Sequence, residues 1–185
     1  ACGNNEDGQC DIPPLDAGMS YTQVSAGGDH TVLLRSDGSA IACGNNLFGQ
    51  VDIPPLEQGI CYTQVSAGMT HTVLLRSDGC AVATGKKCDG RCIIPPLGEE
   101  LSYTQVSAGA CHTVLLRSDG TVVACGANDE GQCDIPLLDE GIVYTQVSAG
   151  FFHTVLLRSD GTAVACGMSS GRQCNIPQLD RKSGV

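Results

Sequence analysis

Residues 21–44 read YTQVSAGGDHTVLLRSDGSAIACG, and the fold turns on how this stretch alternates. In HTVLLRS, Val32 and Leu34 point to one pleat face and Leu33 to the other, so the strand is apolar on both sides and must be covered on both. YTQVSAG, rich in Thr and Val and closed by Gly27, predicts a strand before it. Arg-Ser-Asp-Gly followed by the small apolar run SAIAC predicts a hairpin in which Gly38 takes the positive φ of the turn. A helix is excluded. No stretch holds an i, i+3, i+4, i+7 apolar stripe for three turns, and Gly, Pro and β-branched residues interrupt the chain too often.

Outward from this stretch, the chain repeats it. YTQVSAG opens at Tyr21, Tyr62, Tyr103 and Tyr144, 41 residues apart, and HTVLLRSDG opens at His30, His71, His112 and His153. Each copy continues to Gly44, Gly85, Gly126 or Gly167, then a loop, then Ile-Pro-x-Leu. The pattern divides the chain into a half repeat (1–20), repeats at 21–61, 62–102, 103–143 and 144–179, and a C-terminal tail (180–185). It predicts an array cut mid-repeat at its N-terminal side and a true array end where DRKSGV departs from connectors such as DAGMS. Gln-Cys-Asp-Ile-Pro-Pro-Leu is expected to add a short fourth strand, at an edge because Pro13 and Pro54 have no N–H for a ladder. Small antiparallel sheets of three to four strands, apolar on both faces and repeated in tandem, are expected to be the blades of a β-propeller, open or partial in form. A β-solenoid is the weaker alternative, because hairpins within a 41-residue coil are unusual for it.

The string G-x-x-H-T-V-L-L-x-x-D-G, followed by Cys-Gly-Asn-Asn-x-x-Gly-Gln, resembles the repeat of the regulator of chromosome condensation family. The usual repeat has an aromatic residue where Cys43 stands and Leu where Cys10 or Val51 stands. The resemblance covers essentially the whole chain. It implies a β-propeller, usually of seven blades, and roles as a guanine-nucleotide exchange factor for a small GTPase, as the docking region of giant HECT-type ubiquitin ligases, or as an enzyme inhibitor. Seven copies would need about 287 residues at this period, so 185 residues do not close such a ring alone.

The chemistry-bearing residues read as structural. A His at one phase of every copy is better explained as a buried ring bonded to neighbouring backbone than as a metal ligand, and Ser36 and Asp37 belong to a turn. The twelve cysteines fall mostly in two columns eight residues apart, such as Cys125 with Cys133, where Val51 and Thr84 also stand. That tolerance favours small packed thiols, and with them a reducing intracellular compartment, over disulfides. Cys80, Cys88 and Cys92 form a lone cluster without the spacing of a zinc site. No phosphate-binding glycine motif is present, so no cofactor is expected.

Hydrophobic residues make up 42% of the chain, yet aromatics only 4%, and Trp is absent. Any core is therefore aliphatic and closely spaced. A net charge of −10 argues against nucleic acid, and no apolar run is long enough for membrane insertion. Repeated positions build the scaffold, which leaves function to positions that differ between copies: the pair before each His, the loop after each Gly column, and the connector. In an up-and-down sheet the first two emerge at one end and Ser-Asp-Gly at the other. The expected recognition surface is therefore that rim, with Phe48, Met69, Lys86, Lys87, Phe151, Phe152 and Met168 as partner-binding residues. Phe151 and Phe152 have an alternative role as a plug over the end of the array, and Lys86, Lys87 and Arg91 read as a solvated basic loop. The expected function is a non-enzymatic protein-binding or scaffold module, as a subunit of a larger complex, with nucleotide exchange or ligase docking as the alternative.

Overall fold

The computed structural model describes residues 1–177, so the tail expected at 180–185 lies outside the described residues. Twelve strands form four three-stranded antiparallel sheets. The first holds β1 (Tyr21–Ala26), β2 (His30–Arg35) and β3 (Ala40–Gly44); the second holds β4 (Tyr62–Ala67), β5 (His71–Arg76) and β6 (Ala81–Gly85). The third holds β7 (Tyr103–Ala108), β8 (His112–Arg117) and β9 (Val122–Gly126); the fourth holds β10 (Tyr144–Ala149), β11 (His153–Arg158) and β12 (Ala163–Gly167). Each sheet is ordered as in sequence, with the HTVLLR strand in the middle. A bulge recurs after each Tyr, and Gly38 takes φ +81° at the Ser-Asp-Gly turn, as the hairpin requires.

The two-faced strand works as its sequence demands. Val32 and Leu34 pack toward the second sheet, with Tyr62, Val65, Ala67 and Leu74. In the next copy Val73 and Leu75 pack toward the third sheet, while Leu74 stays in the first interface. Alternate residues of one strand thus fill two different cores, and the second and third sheets are blades held to a neighbour on each side by aliphatic burial.

The Ile-Pro segments are not strands. Two adjacent prolines withdraw two N–H donors, so residues 52–56 run extended without a ladder and are tied by side chains instead. Tyr62 Oη donates to the Pro54 carbonyl at 2.8 Å, and the same bond recurs at Tyr21, Tyr103 and Tyr144. Ile53 and Leu56 insert between the first and second blades. Each connector therefore serves the blade that follows it in sequence.

Candidate rim site

The histidines bond across blades, not to backbone as the sequence reading expected. His30 Nε2 lies 2.9 Å from Thr72 Oγ1, His71 Nε2 2.9 Å from Thr113 Oγ1, and His112 Nε2 3.0 Å from Thr154 Oγ1. Each Thr hydroxyl gives its hydrogen to a connector carbonyl, Gln50, Arg91 or Gln132, at 2.7–2.8 Å. It must then accept from the imidazole, so Nε2 carries the proton and Nδ1 is bare. Nδ1 of His30, His71 and His112 has no partner. Burial pushes these imidazoles down, His30 and His112 to about 4 and His71 to about 3. They are neutral scaffold pins.

Above these pins lies the rim. Asn45 N–H donates to the Asp29 carbonyl at 2.8 Å, Lys86 to Thr70, Ala127 to Cys111 and Met168 to Phe152 at 2.9 Å, so the loop after each Gly column is bonded to the pair before each His. The Asn and Gln of the loop explain its shape. Asn45 Oδ1 accepts from Leu47 N–H and Gln50 Nε2, Gln50 Oε1 accepts from Phe48 N–H, and Asn46 bridges Val51 N–H and Asp52. The loop backbone is thereby satisfied internally, leaving residues 47 and 48 free to project.

The second copy departs from this. A single 3₁₀ turn at Cys88–Gly90 replaces the Asn-built loop, and Arg91 takes the place of Gln50 and Gln132. The sequence reading put Arg91 in a solvated basic loop. It is instead buried, donating to Thr70 Oγ1 at 3.0 Å, to the Ala110 carbonyl of the next blade at 3.1 Å and to Asp89 at 2.6 Å. The signal available beforehand was its alignment with a Gln column, which composition alone hides.

The expected partner-binding residues fall into three patches. Lys86 Nζ sits 5.0 Å from the centroid of Phe48, pairing the first and second copies, and Lys87 is exposed beside them. Met69 and Phe151, both exposed, border a shallow apolar groove of about 390 Å³ where the inner strands converge, floored by Gly27, Gly68, Gly109 and Gly150. Phe151 stands edge-on to Phe152 at 4.5 Å, and the Phe152 carbonyl accepts from Met168 N–H; Phe152 and Met168 are half-buried.

All twelve cysteines are free. Apart from the exposed Cys2, the column thiols are half-buried, not fully so, and donate to carbonyls, as Cys133 does to Ala127 at 3.4 Å and Cys174 to Met168 at 3.2 Å. Burial pushes Cys125 up to about 12 and Cys133 and Cys166 to about 11. Among the described residues no group of three His, Cys, Asp or Glu could hold a metal ion, and no helix is long and apolar enough to cross a membrane.

Comparison with known proteins agrees with this architecture. The family model for the regulator of chromosome condensation (RCC1) repeat matches residues 21–50, 103–132 and 144–173. The copy it passes over is the one carrying Lys86, Lys87 and Arg91. A search of curated proteins found no match. Among solved structures, Prp20p from Saccharomyces cerevisiae, studied with its binding to Gsp1p and histones, superposes with a TM-score of 0.74 at 21% identity over 93% of this chain and 49% of that one. Human WBSCR16 gives 0.73 at 18% identity, over 84% and 50%. The ectodomain of the Arabidopsis thaliana receptor kinase ACR4 gives 0.63 at 21%, over 82% and 54%. The chain thus spans about half the length of these propellers. With four blades in sequence order, each built on the same bulged strand and middle HTVLLR strand, the chain carries regulator of chromosome condensation repeats, matched by the family model in three of its four copies.

Proposed function

We propose that the chain is a non-enzymatic protein-binding or scaffold module of a larger assembly, recognising its partner through the variable loops on one rim. The observation that carries this reading is the junction of the two variable sets: in each of the four copies one backbone bond ties the variable loop to the variable pair beneath it. Phe48, Met69 and Phe151 project from that frame. A rigid scaffold carrying differing loops is a common design for recognition, and exposed aromatics on it are the usual anchors. Lys86, Lys87, Phe152 and Met168 complete the proposed surface.

The test is affinity capture from the source organism, followed by titration of the captured protein against Phe48→Ala and Phe151→Ala. Loss of an anchor aromatic costs about 2 kcal/mol or more, roughly thirtyfold in affinity. Unchanged affinity in folded variants would remove these residues from the surface. The family resemblance supports a second reading, an exchange factor for a small GTPase or the docking part of a ubiquitin ligase. Accelerated nucleotide release from a small GTPase would put that reading first.

A further inference from the structure

Charge on the variable rim is ordered from copy to copy. The half repeat brings Glu6 and Asp7, the first full copy Asp29 and then Leu47 and Phe48, the second Lys86 and Lys87, the third Asp129 and Glu130, and the fourth Arg172. In a chain of net charge −10, the loops of the first two copies thus form a cationic and apolar island with acidic loops on both sides. Leu47 is 77% exposed and Phe48 41%, and Lys87 is exposed beside them.

The two lysines lack carboxylate partners. Among the described residues, the ion pairs fall on Arg76, Arg91 and Arg158. Asp89, the acid of the second loop, is already taken: it accepts from Arg91 at 2.6 Å, and Arg91 is buried with Thr70 Oγ1 and the Ala110 carbonyl as its other acceptors. Burial of Arg91 therefore uses up the negative charge of the loop and leaves the ammonium groups of Lys86 and Lys87 uncompensated. Lys86 Nζ stands 5.0 Å from the centroid of Phe48, whose ring face attracts a cation without neutralising it.

The island is held in place by the fold. Asn45 N–H donates to the Asp29 carbonyl at 2.8 Å and Lys86 N–H to the Thr70 carbonyl at 2.9 Å, while Asn45, Asn46 and Gln50 close the first loop on itself. A surface ordered in advance loses less on binding, so its contacts convert more fully into affinity. An exposed ring with a cation beside it suits a ligand that joins apolar area to negative charge. The acidic loops on either side repel an evenly charged polyanion, such as nucleic acid, and leave room for a short acidic stretch.

We propose that the paired loops of the first two copies bind a short acidic segment of a partner protein, its carboxylates on Lys86 and Lys87 and a neighbouring apolar side chain on Leu47 and Phe48. This chemistry presupposes the rim surface proposed above and narrows its partner to one class. Basic residues flank the acidic stretch of that partner, facing Asp7 and Asp29 at one end and Asp129 and Glu130 at the other.

The experiment is selection of a phage-displayed random peptide library on the full chain. Enriched peptides are then titrated by fluorescence anisotropy against wild type, the double variant Lys86→Glu/Lys87→Glu, Phe48→Ala and Phe151→Ala. They should carry adjacent Asp or Glu beside an apolar residue and lose about tenfold or more in affinity on charge reversal. Affinity should also fall as ionic strength rises from about 0.01 to 0.15 M, which shortens the screening length from about 30 to 8 Å. Should circular dichroism show the double variant misfolded, Lys87→Glu, at an exposed side chain, replaces it. A neutral or basic consensus, acidic peptides that bind the reversed variant as tightly as wild type, no enrichment, or a single-stranded oligonucleotide bound as tightly as the peptides would each overturn the proposal. Peptides that respond to Phe48→Ala or Phe151→Ala but not to charge reversal would overturn it and leave the rim surface standing, whereas peptides indifferent to all of these variants would end both.

Discussion

Each interface histidine bonds a threonine that has already committed its hydrogen, and this leaves the pair no spare partner. Thr113→Val would strand the His71 N–H and the Arg91 carbonyl in a buried setting, costing about 1–3 kcal/mol. Thr31 gives an internal control, because it donates to Gln9 but has no histidine upstream; Thr31→Val should cost less in the same urea titration. The depressed imidazoles set the response to acid. Above pH 6.5 folded and unfolded chains both hold neutral histidine, so the contribution is complete. As pH falls, the unfolded chain takes up protons first, and stability drops until the folded values near 3–4 are reached. Each histidine contributes about 1.4 kcal/mol per pH unit in that window. The turn carboxylates Asp37 and Asp119 are held below their usual 3.8 by backbone N–H and hydroxyl donors at Ser39 and Thr121, so their loss comes only at lower pH. Denaturation midpoints falling between pH 6.5 and 4, with a shallower fall in His71→Asn, would verify this; a flat profile would contradict it.

At the scale of the element, the loop after each Gly column is held by its own amides in three copies and by a guanidinium in the other. Arg91→Gln restores the side chain found at Gln50 and Gln132, whose Oε1 accepts from the loop N–H two residues earlier. It should therefore fold with little loss, whereas Arg91→Ala leaves the Ala110 carbonyl and Asp89 without their donor and should cost about 1–3 kcal/mol. Thermal midpoints of the two variants compare them directly. Equal losses would mean the guanidinium acts only by filling space. The connector shows why the fourth strand was misjudged: the prolines correctly ruled out a central strand, but only the tyrosine hydroxyls and the interblade core show that the segment needs no ladder at all.

Across the whole molecule, the inner strands converge on a line of glycines. A Cβ on Gly68 would lie 2.4 Å from the Gly109 carbonyl of the next blade, a backbone atom that cannot move without moving the blade. On Gly150 it would meet chiefly the ring of His153, which is only half-buried and has room to shift. Gly68→Ala should therefore destabilise the array by about 1 kcal/mol or more beyond Gly150→Ala, as read from denaturant midpoints. Similar losses would mean that blade spacing is not what demands glycine here.

The 41-residue period, the three strands of each blade, the two-faced middle strand and the positive-φ turn were legible in the sequence, because each rests on local pattern: alternation, turn chemistry and recurrence. The shared rim was legible too, since strand direction alone places the loops. What lay beyond it were contacts between copies. Nothing near His30 in sequence announces Thr72, because that bond depends on how one blade is stacked on the next. Arg91 looked like a surface charge for the same reason, and the pairing of Phe48 with Lys86 joins loops of adjacent blades. Local backbone preference decides which strands form, whereas the stacking of identical units decides which polar groups are buried, and only the tertiary structure states that stacking.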